Sequence, residues 1–246
     1  MIKLGIIQTG HISSNLVGIS KISQILLRLG KTETDFVCMP EQWLKNNNIT
    51  DFEKEFSEFQ RIAKDYSMTI IPGAFYEKVK NKLVISAPII GPKGEIIGKQ
   101  EKIHPFDYER RLIKPGNTAK IFKTSCKFGI VICYDMVFPK VVNSLAKNGA
   151  EVIFSPSRIV KRGITPWHLY VQTRALENRI PIIAANVFNQ KFGGKSIIVD
   201  LHEKSQVYIP KNKILSKPNS SVTQEFTLSK YKKSRDSRFS DENKFS

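Results

Sequence analysis

A cysteine, a glutamate and a lysine each stand at or near the end of a short apolar run in this chain, and between them they carry the groups needed to open an acyl bond. Cys133 closes the run Phe128–Gly129–Ile130–Val131–Ile132 and is followed by Tyr134–Asp135–Met136–Val137–Phe138–Pro139. Glu41 comes directly after Met39–Pro40, and Lys102 lies in Gly98–Lys99–Gln100–Glu101–Lys102–Ile103–His104–Pro105–Phe106. A thiol is mostly protonated at neutral pH, so a nucleophilic cysteine needs a base to take its proton or a cation to lower its pKa. Glu41 and Lys102 supply one of each. Attack on a carbonyl leaves charge on oxygen, which Lys102 and the backbone N–H of Tyr134 are placed in sequence to stabilise, at roughly 3 kcal/mol per well-aimed donor. Taken singly, each residue has a plainer explanation. Free cysteines are most often inert packing, a Glu or Lys is usually a surface charge, and a lone His104 is more often structural than catalytic.

The elements that must position these groups are read from periodicity. Ile130, Val131 and Ile132 favour a buried strand, and Val141, Val142, Leu145 and Ala146 recur at helical spacing behind it, with Pro139 suited to the first helical turn. Cys133 is therefore expected at a strand end close to a helix start, where backbone N–H groups favour thiolate. Leu4, Ile6 and Ile7 open the chain as a strand, and Leu16 to Leu29 reads as a helix closed by Gly30. Asp35–Met39 is a second strand, Phe52, Phe56, Phe59 and Ala63 share a helical face, and Met68–Ile71 with Ala74–Phe75 supplies the next strand. Leu83–Ile90 and Ile96–Lys99 flank the turn Gly91–Pro92–Lys93–Gly94, predicting a hairpin. Strand Glu151–Ser155, helix Trp167–Asn178, strand Ile182–Asn186 and a strand pair Ser196–Val199 and Val207–Ile209 follow. This alternation implies a mixed sheet covered by helices. From about Lys211 the periodicity fades, predicting a domain over residues 1–210 and a basic, solvated and partly disordered tail over 211–246.

The 246 residues suffice for a substantial core, and 41% hydrophobic with 25% charged residues is ordinary for a globular chain. No run is long enough for a membrane span, and Met1–Ile2–Lys3–Leu4 begins a strand rather than a signal peptide. Three cysteines, Cys38, Cys126 and Cys133, lack metal-ligand spacing and argue against a disulfide framework. A reducing cytoplasm is the expected home. The 39 Lys and Arg against 22 Asp and Glu give a formal charge of +17, which keeps nucleic-acid binding as a rival reading. The basic residues are scattered, with no recognition helix, zinc-finger spacing or aromatic RNA-binding motif, so general solvation is favoured over a nucleic-acid partner.

Read together, the motifs resemble the nitrilase superfamily, the carbon–nitrogen hydrolases with a Glu–Lys–Cys triad. The matching segments are Met39–Pro40–Glu41, Lys102–Ile103–His104, Cys133 through Pro139 with Gly149–Ala150–Glu151–Val152–Ile153 behind it, and Arg174–Ala175–Leu176–Glu177–Asn178 with Ala184–Ala185–Asn186. They run in order from Met1 to about Leu201. The resemblance implies Glu41 as general base, Lys102 as oxyanion stabiliser, Cys133 as nucleophile, and Glu109 as a second glutamate beside the triad, with Glu101 nearby as its competitor. It implies a four-layer α-β-β-α sandwich with mixed sheets, a homodimer or higher homo-oligomer, and no cofactor. Two departures are visible: Lys140 stands where many members carry an acidic residue, and the region after Gly193–Gly194–Lys195–Ser196 is short.

The expected activity is cleavage of a linear, non-peptide amide or carbamoyl C–N bond through a thioester. An acyltransferase using the same acyl-enzyme, and a catalytically silent basic binding protein, are the alternatives. The expected partner is a small amide. Arg158, following Pro156–Ser157 at the end of the Glu151–Ser155 strand, emerges at the same sheet edge as Cys133 if those strands are neighbours. A guanidinium there would hold a substrate carboxylate bidentately. A solvated loop charge is the equal alternative, and Arg110 and Arg111 are competing clamps.

Overall fold

The structure is a computed structural model and describes residues 1–242. In chain order the first half forms β1 (Ile2–Gln8), α1 (Asn15–Lys31), β2 (Phe36–Cys38), β3 (Asn48–Ile49), α2 (Phe52–Glu55), α3 (Ser57–Tyr66), β4 (Thr69–Ile71), β5 (Phe75–Val79), β6 (Lys82–Ile90) and β7 (Ile96–Glu101). The second half forms β8 (Ile121–Lys123), β9 (Lys127–Ile130), α4 (Pro139–Lys147), β10 (Val152–Pro156), α5 (Ile164–Asn178), β11 (Ile182–Ala185), β12 (Ile197–Lys204), β13 (Val207–Ile214), β14 (Ser220–Phe226) and α6 (Lys232–Glu242). One sheet runs β14-β1-β2-β4-β6-β5-β3 with β7 paired to β6, and the other runs β13-β12-β11-β10-β9-β8. Both mix parallel and antiparallel pairs. The result is the expected α-β-β-α sandwich.

Period-two alternation explains the layering. Along β1 and β2, Leu4, Ile6, Phe36 and Cys38 face Phe128, Ile130 and Phe154 of the other sheet in one core, and the Phe36 and Phe154 rings stack at 5.3 Å. The intervening Ile7 and Val37 turn the other way, onto Ile22, Leu26, Phe59 and Ile62 of α1 and α3. On the outer face of the second sheet, Val142 and Leu145 of α4 and Val171 of α5 complete the burial.

Three expectations are corrected. The α1 helix runs through Gly30 to Lys31; the glycine serves packing, since a Cβ there would lie 2.4 Å from the Tyr66 ring. The cysteine run is strand only to Ile130, and Cys133 begins a 3₁₀ turn to Val137, with α4 starting six residues beyond the cysteine. The predicted tail is folded as far as it is described. Lys211 pairs with Asp200 inside β13, and β14 pairs antiparallel with β1 from Ile2 opposite Phe226 to Gln8 opposite Ser220. Phe226, Leu228 and Tyr231 are buried, and the Tyr231 hydroxyl donates to Asp200. The part of the tail over residues 243–246 lies outside the described residues. Among the described residues no helix is long and apolar enough to cross a membrane.

Candidate active site

The first sheet supplies both charged partners. Glu41 follows β2 across Met39–Pro40; its N–H donates to the Ser157 carbonyl at 3.2 Å, and it bridges to Ala74. This chain path passes close to Gly73, at φ +119°, where a Cβ would lie 2.2 Å from the Pro40 carbonyl oxygen, so only glycine fits. Lys102 follows β7, with its N–H on the Ile85 carbonyl at 2.8 Å. Its Nζ donates to Glu41 Oε1 at 2.8 Å and lies 2.8 Å from Glu109 Oε2. Glu109 sits on the 3₁₀ turn Asp107–Arg111 and also accepts from the Phe106 N–H at 2.8 Å. All three are withdrawn from water, with Glu41 at 2%, Lys102 at 1% and Glu109 at 3% exposure. Two carboxylates on one ammonium satisfy the lysine at both sides.

The second sheet supplies the sulfur. Cys133 has φ +49°, a conformation that lets the chain turn sharply after Ile132 and turns the nucleophile out of the strand direction. The Glu41 carboxylate and the Arg158 backbone N–H both lie near enough to the thiol to shift it. Burial, reinforced by the Glu41 charge, pushes the thiol above its ordinary value, and Lys102 and the Arg158 N–H pull it only part of the way back. The expectation that a strand end and helix start would favour thiolate is therefore corrected. The helix begins too far along, and an anionic carboxylate is nearer than a helix dipole. At Lys102 burial acts to lower the pKa, but Glu41, Cys133 and Glu109 outweigh it and keep the ammonium charged. Burial and the neighbouring Glu41 raise Glu109, and Lys102 offsets part of this.

Asp135, to which the sequence reading gave no role, ties the two halves together. Its buried carboxylate accepts from the Ile103 N–H at 3.2 Å, the His104 N–H at 2.7 Å and sits 2.9 Å from His104 Nδ1. The His104 ring stacks on Phe138 at 3.7 Å. The segment after Lys102 is thereby fastened to the turn carrying Cys133. An acidic residue two positions after a cysteine in an otherwise apolar stretch was the available signal. Its partners, thirty residues away, were not visible in the sequence.

Cys133 opens onto a cavity of about 200 Å³ walled by Phe106, Val137, Ile159, Val160, Trp167 and Tyr170 among others, with Tyr134 at the turn and Arg158 at the rim. β9 and β10 are parallel neighbours, which brings Cys133 and Arg158 to one edge. Arg110 and Arg111 are exposed and do not line this cavity. Glu101 ends β7 on the strand itself, whereas Glu109 is the carboxylate that reaches the lysine.

The sequence model of the carbon–nitrogen hydrolase family matches residues 3–213. A nitrilase from Pyrococcus abyssi is 31% identical over 80% of this chain and 77% of its own length. An omega-amidase from Mus musculus is 25% identical over 75% of this chain and 74% of its own. The crystal structure of a Saccharomyces cerevisiae member of branch 10 of the nitrilase superfamily aligns with a TM-score of 0.83 at 21% identity, covering 96% of this chain and 93% of that one.

Proposed function

This chain belongs to the carbon–nitrogen hydrolase family, a group of hydrolases acting on C–N bonds, and on that premise we propose that it is a cysteine-dependent amidohydrolase working through a thioester. The observation that carries the reading is the buried Glu41–Lys102–Glu109 group within reach of a thiol at a small cavity. Glu41 takes the Cys133 proton as sulfur attacks the carbonyl carbon, so that thiolate and carboxylate never stand charged side by side. The oxygen that gains the electron pair is met by Lys102 and the Tyr134 N–H. Glu41 returns the proton to nitrogen, the C–N bond breaks, and ammonia or an amine leaves. Glu41 then takes a proton from water as it attacks the thioester, the C–S bond breaks, and the thiol is restored with a carboxylic acid as product. Glu109 holds the far side of Lys102, keeping the ammonium aimed at the carbonyl oxygen.

A cavity of about 200 Å³ with mostly apolar walls suits a small acyl group. Arg158 at its rim supports a substrate bearing a free carboxylate, such as an ω-amide or a carbamoyl amino acid. Ammonia release from a panel of both classes tests this, with Cys133→Ala and Glu41→Gln as controls. Release that is unchanged in Cys133→Ala overturns the mechanism, and turnover in Glu41→Gln should fall by about 10²–10⁴-fold.

A further inference from the structure

Arg158 is the only lysine or arginine among the residues lining the cavity, and no Asp or Glu lines it. Among the described residues it has no ion-pair partner. Its guanidinium is instead fixed by two neutral groups: Nη2 donates to the Tyr108 hydroxyl at 3.1 Å, and the ion lies 5.0 Å from the centroid of the Phe192 ring. The same residue follows β10, the parallel neighbour of the strand leading to Cys133, and lines the same cavity as the sulfur, so a fork held in place here is held in place relative to the reacting carbon. Tyr108 stands on the turn that carries Glu109, which bonds Lys102. The contacts thus join the charged fork to the lysine on one side, and the strand pair sets it beside the sulfur on the other.

The choice of partners has a chemical consequence. An aspartate in place of Tyr108 would orient the guanidinium equally well but would neutralise it. A phenol and a phenyl face orient it and leave the charge whole. A half-buried cation facing apolar walls is unfavourable until an anion reaches it, and a guanidinium with one N–H and one face already engaged has further N–H donors left for a carboxylate.

We propose that Tyr108 and Phe192 are positioning residues that hold Arg158 as an uncompensated carboxylate clamp, and so set the preference for acidic over neutral amides. This rests on the carboxylate reading of the site given above. The reaction itself is unaffected by the clamp, which acts on the end of the substrate away from the cleaved bond.

The test uses the mono-amide of a four-carbon dicarboxylic acid and its methyl ester, with kcat and KM measured separately for the full-length enzyme. The wild type should prefer the acid by at least about tenfold in kcat/KM. Tyr108→Phe and Phe192→Leu should each cut that ratio about five- to tenfold, through KM for the acid, as expected for loss of a charge-assisted contact. Phe192→Tyr, which keeps a ring face, should restore the ratio. Tyr108 is half exposed, and Tyr108→Phe removes only its hydroxyl and keeps the ring. If Arg158→Ala abolishes the preference while Tyr108→Phe and Phe192→Leu keep it within twofold, the clamp stands and the positioning proposal is overturned. If the wild type shows no preference, the carboxylate reading falls and this proposal with it.

Discussion

Replacing Lys102 with methionine keeps the length of the side chain and removes its charge, leaving Glu41 and Glu109 buried without the ammonium that lies 2.8 Å from each. Removing one partner of a buried ion pair costs about 3–5 kcal/mol. For a chain of this size each kcal/mol moves Tm by about 2–4 °C, so Lys102→Met should lower Tm by about 6–20 °C at pH 8. The deficit should also depend on pH, with a definite sign. Without the lysine, which offsets part of the effect, burial and the neighbouring Glu41 hold the folded pKa of Glu109 further above the unfolded value of about 4.3. A group whose folded pKa is raised contributes stability that is present below the unfolded pKa and is lost as pH rises through the folded one. The variant therefore recovers as pH falls, by uptake of a proton in place of the missing ammonium. In the wild type Lys102 is itself raised by its two carboxylates, so its contribution is fully present throughout this range and fades only at strongly alkaline pH. Thermal unfolding followed by circular dichroism at pH 5, 6.5 and 8 reads both quantities. A gap of less than about 2 °C at pH 8, or one that widens towards pH 5, would refute the reasoning.

Stoichiometric iodoacetamide should label Cys133 alone: burial raises all three thiols, but only Cys133 lines a cavity the reagent can enter and has a carboxylate, Glu41, beside it to take the proton. Because Glu41 must take the proton as sulfur attacks, Glu41→Gln should slow the labelling about tenfold at pH 7; an unchanged rate would show a preformed thiolate and contradict the protonated resting state. Asp135→Asn should lower Tm by about 5 °C and kcat by about tenfold, since one carboxylate oxygen pair now serves three donors. Wild-type kcat in that variant would mean that the link to His104 does not position Lys102. Ending the chain after Leu215 strips β14 from β1 and removes Phe226, Leu228 and Tyr231 from the core, at about 1.5–3 kcal/mol for each large side chain. That fragment should lack a cooperative melt, and a Tm within about 5 °C of the full chain would show the segment to be dispensable.

The triad segments were legible because short-range pattern and motif coincide there: an apolar run, a break, then a residue able to do chemistry. The Gly91–Gly94 hairpin and α5 were legible for the same reason, since turn residues and a single helical face are local properties. β14 was not, because it adds a backbone ladder to an edge whose side chains already define the core. Its own sequence has only Val222 and Phe226, too few apolar residues to stand out among Ser, Thr, Gln and Glu. Tyr108, Phe192 and Asp135 were illegible as site residues because each acts on a segment at least thirty residues away. The thiol was misread in sign because sequence gives the distance along the chain to a helix start but not the distance through space to Glu41.

Glu41 and Lys102 stand at the ends of strands in one sheet, while Cys133 and Arg158 stand at the ends of strands in the other. Neither sheet alone contains a base and a nucleophile. Turnover is consequently a reporter of assembly: in refolding, the first hydrolysed bond counts the molecules in which the two sheets have docked in register over their shared core. β14 extends that dependence to the time axis of synthesis. The strand at the start of the chain is completed on its outer edge by residues made near its end, so a nascent chain still lacking Ser220–Phe226 holds all four site residues in its sequence while its first sheet remains open along β1.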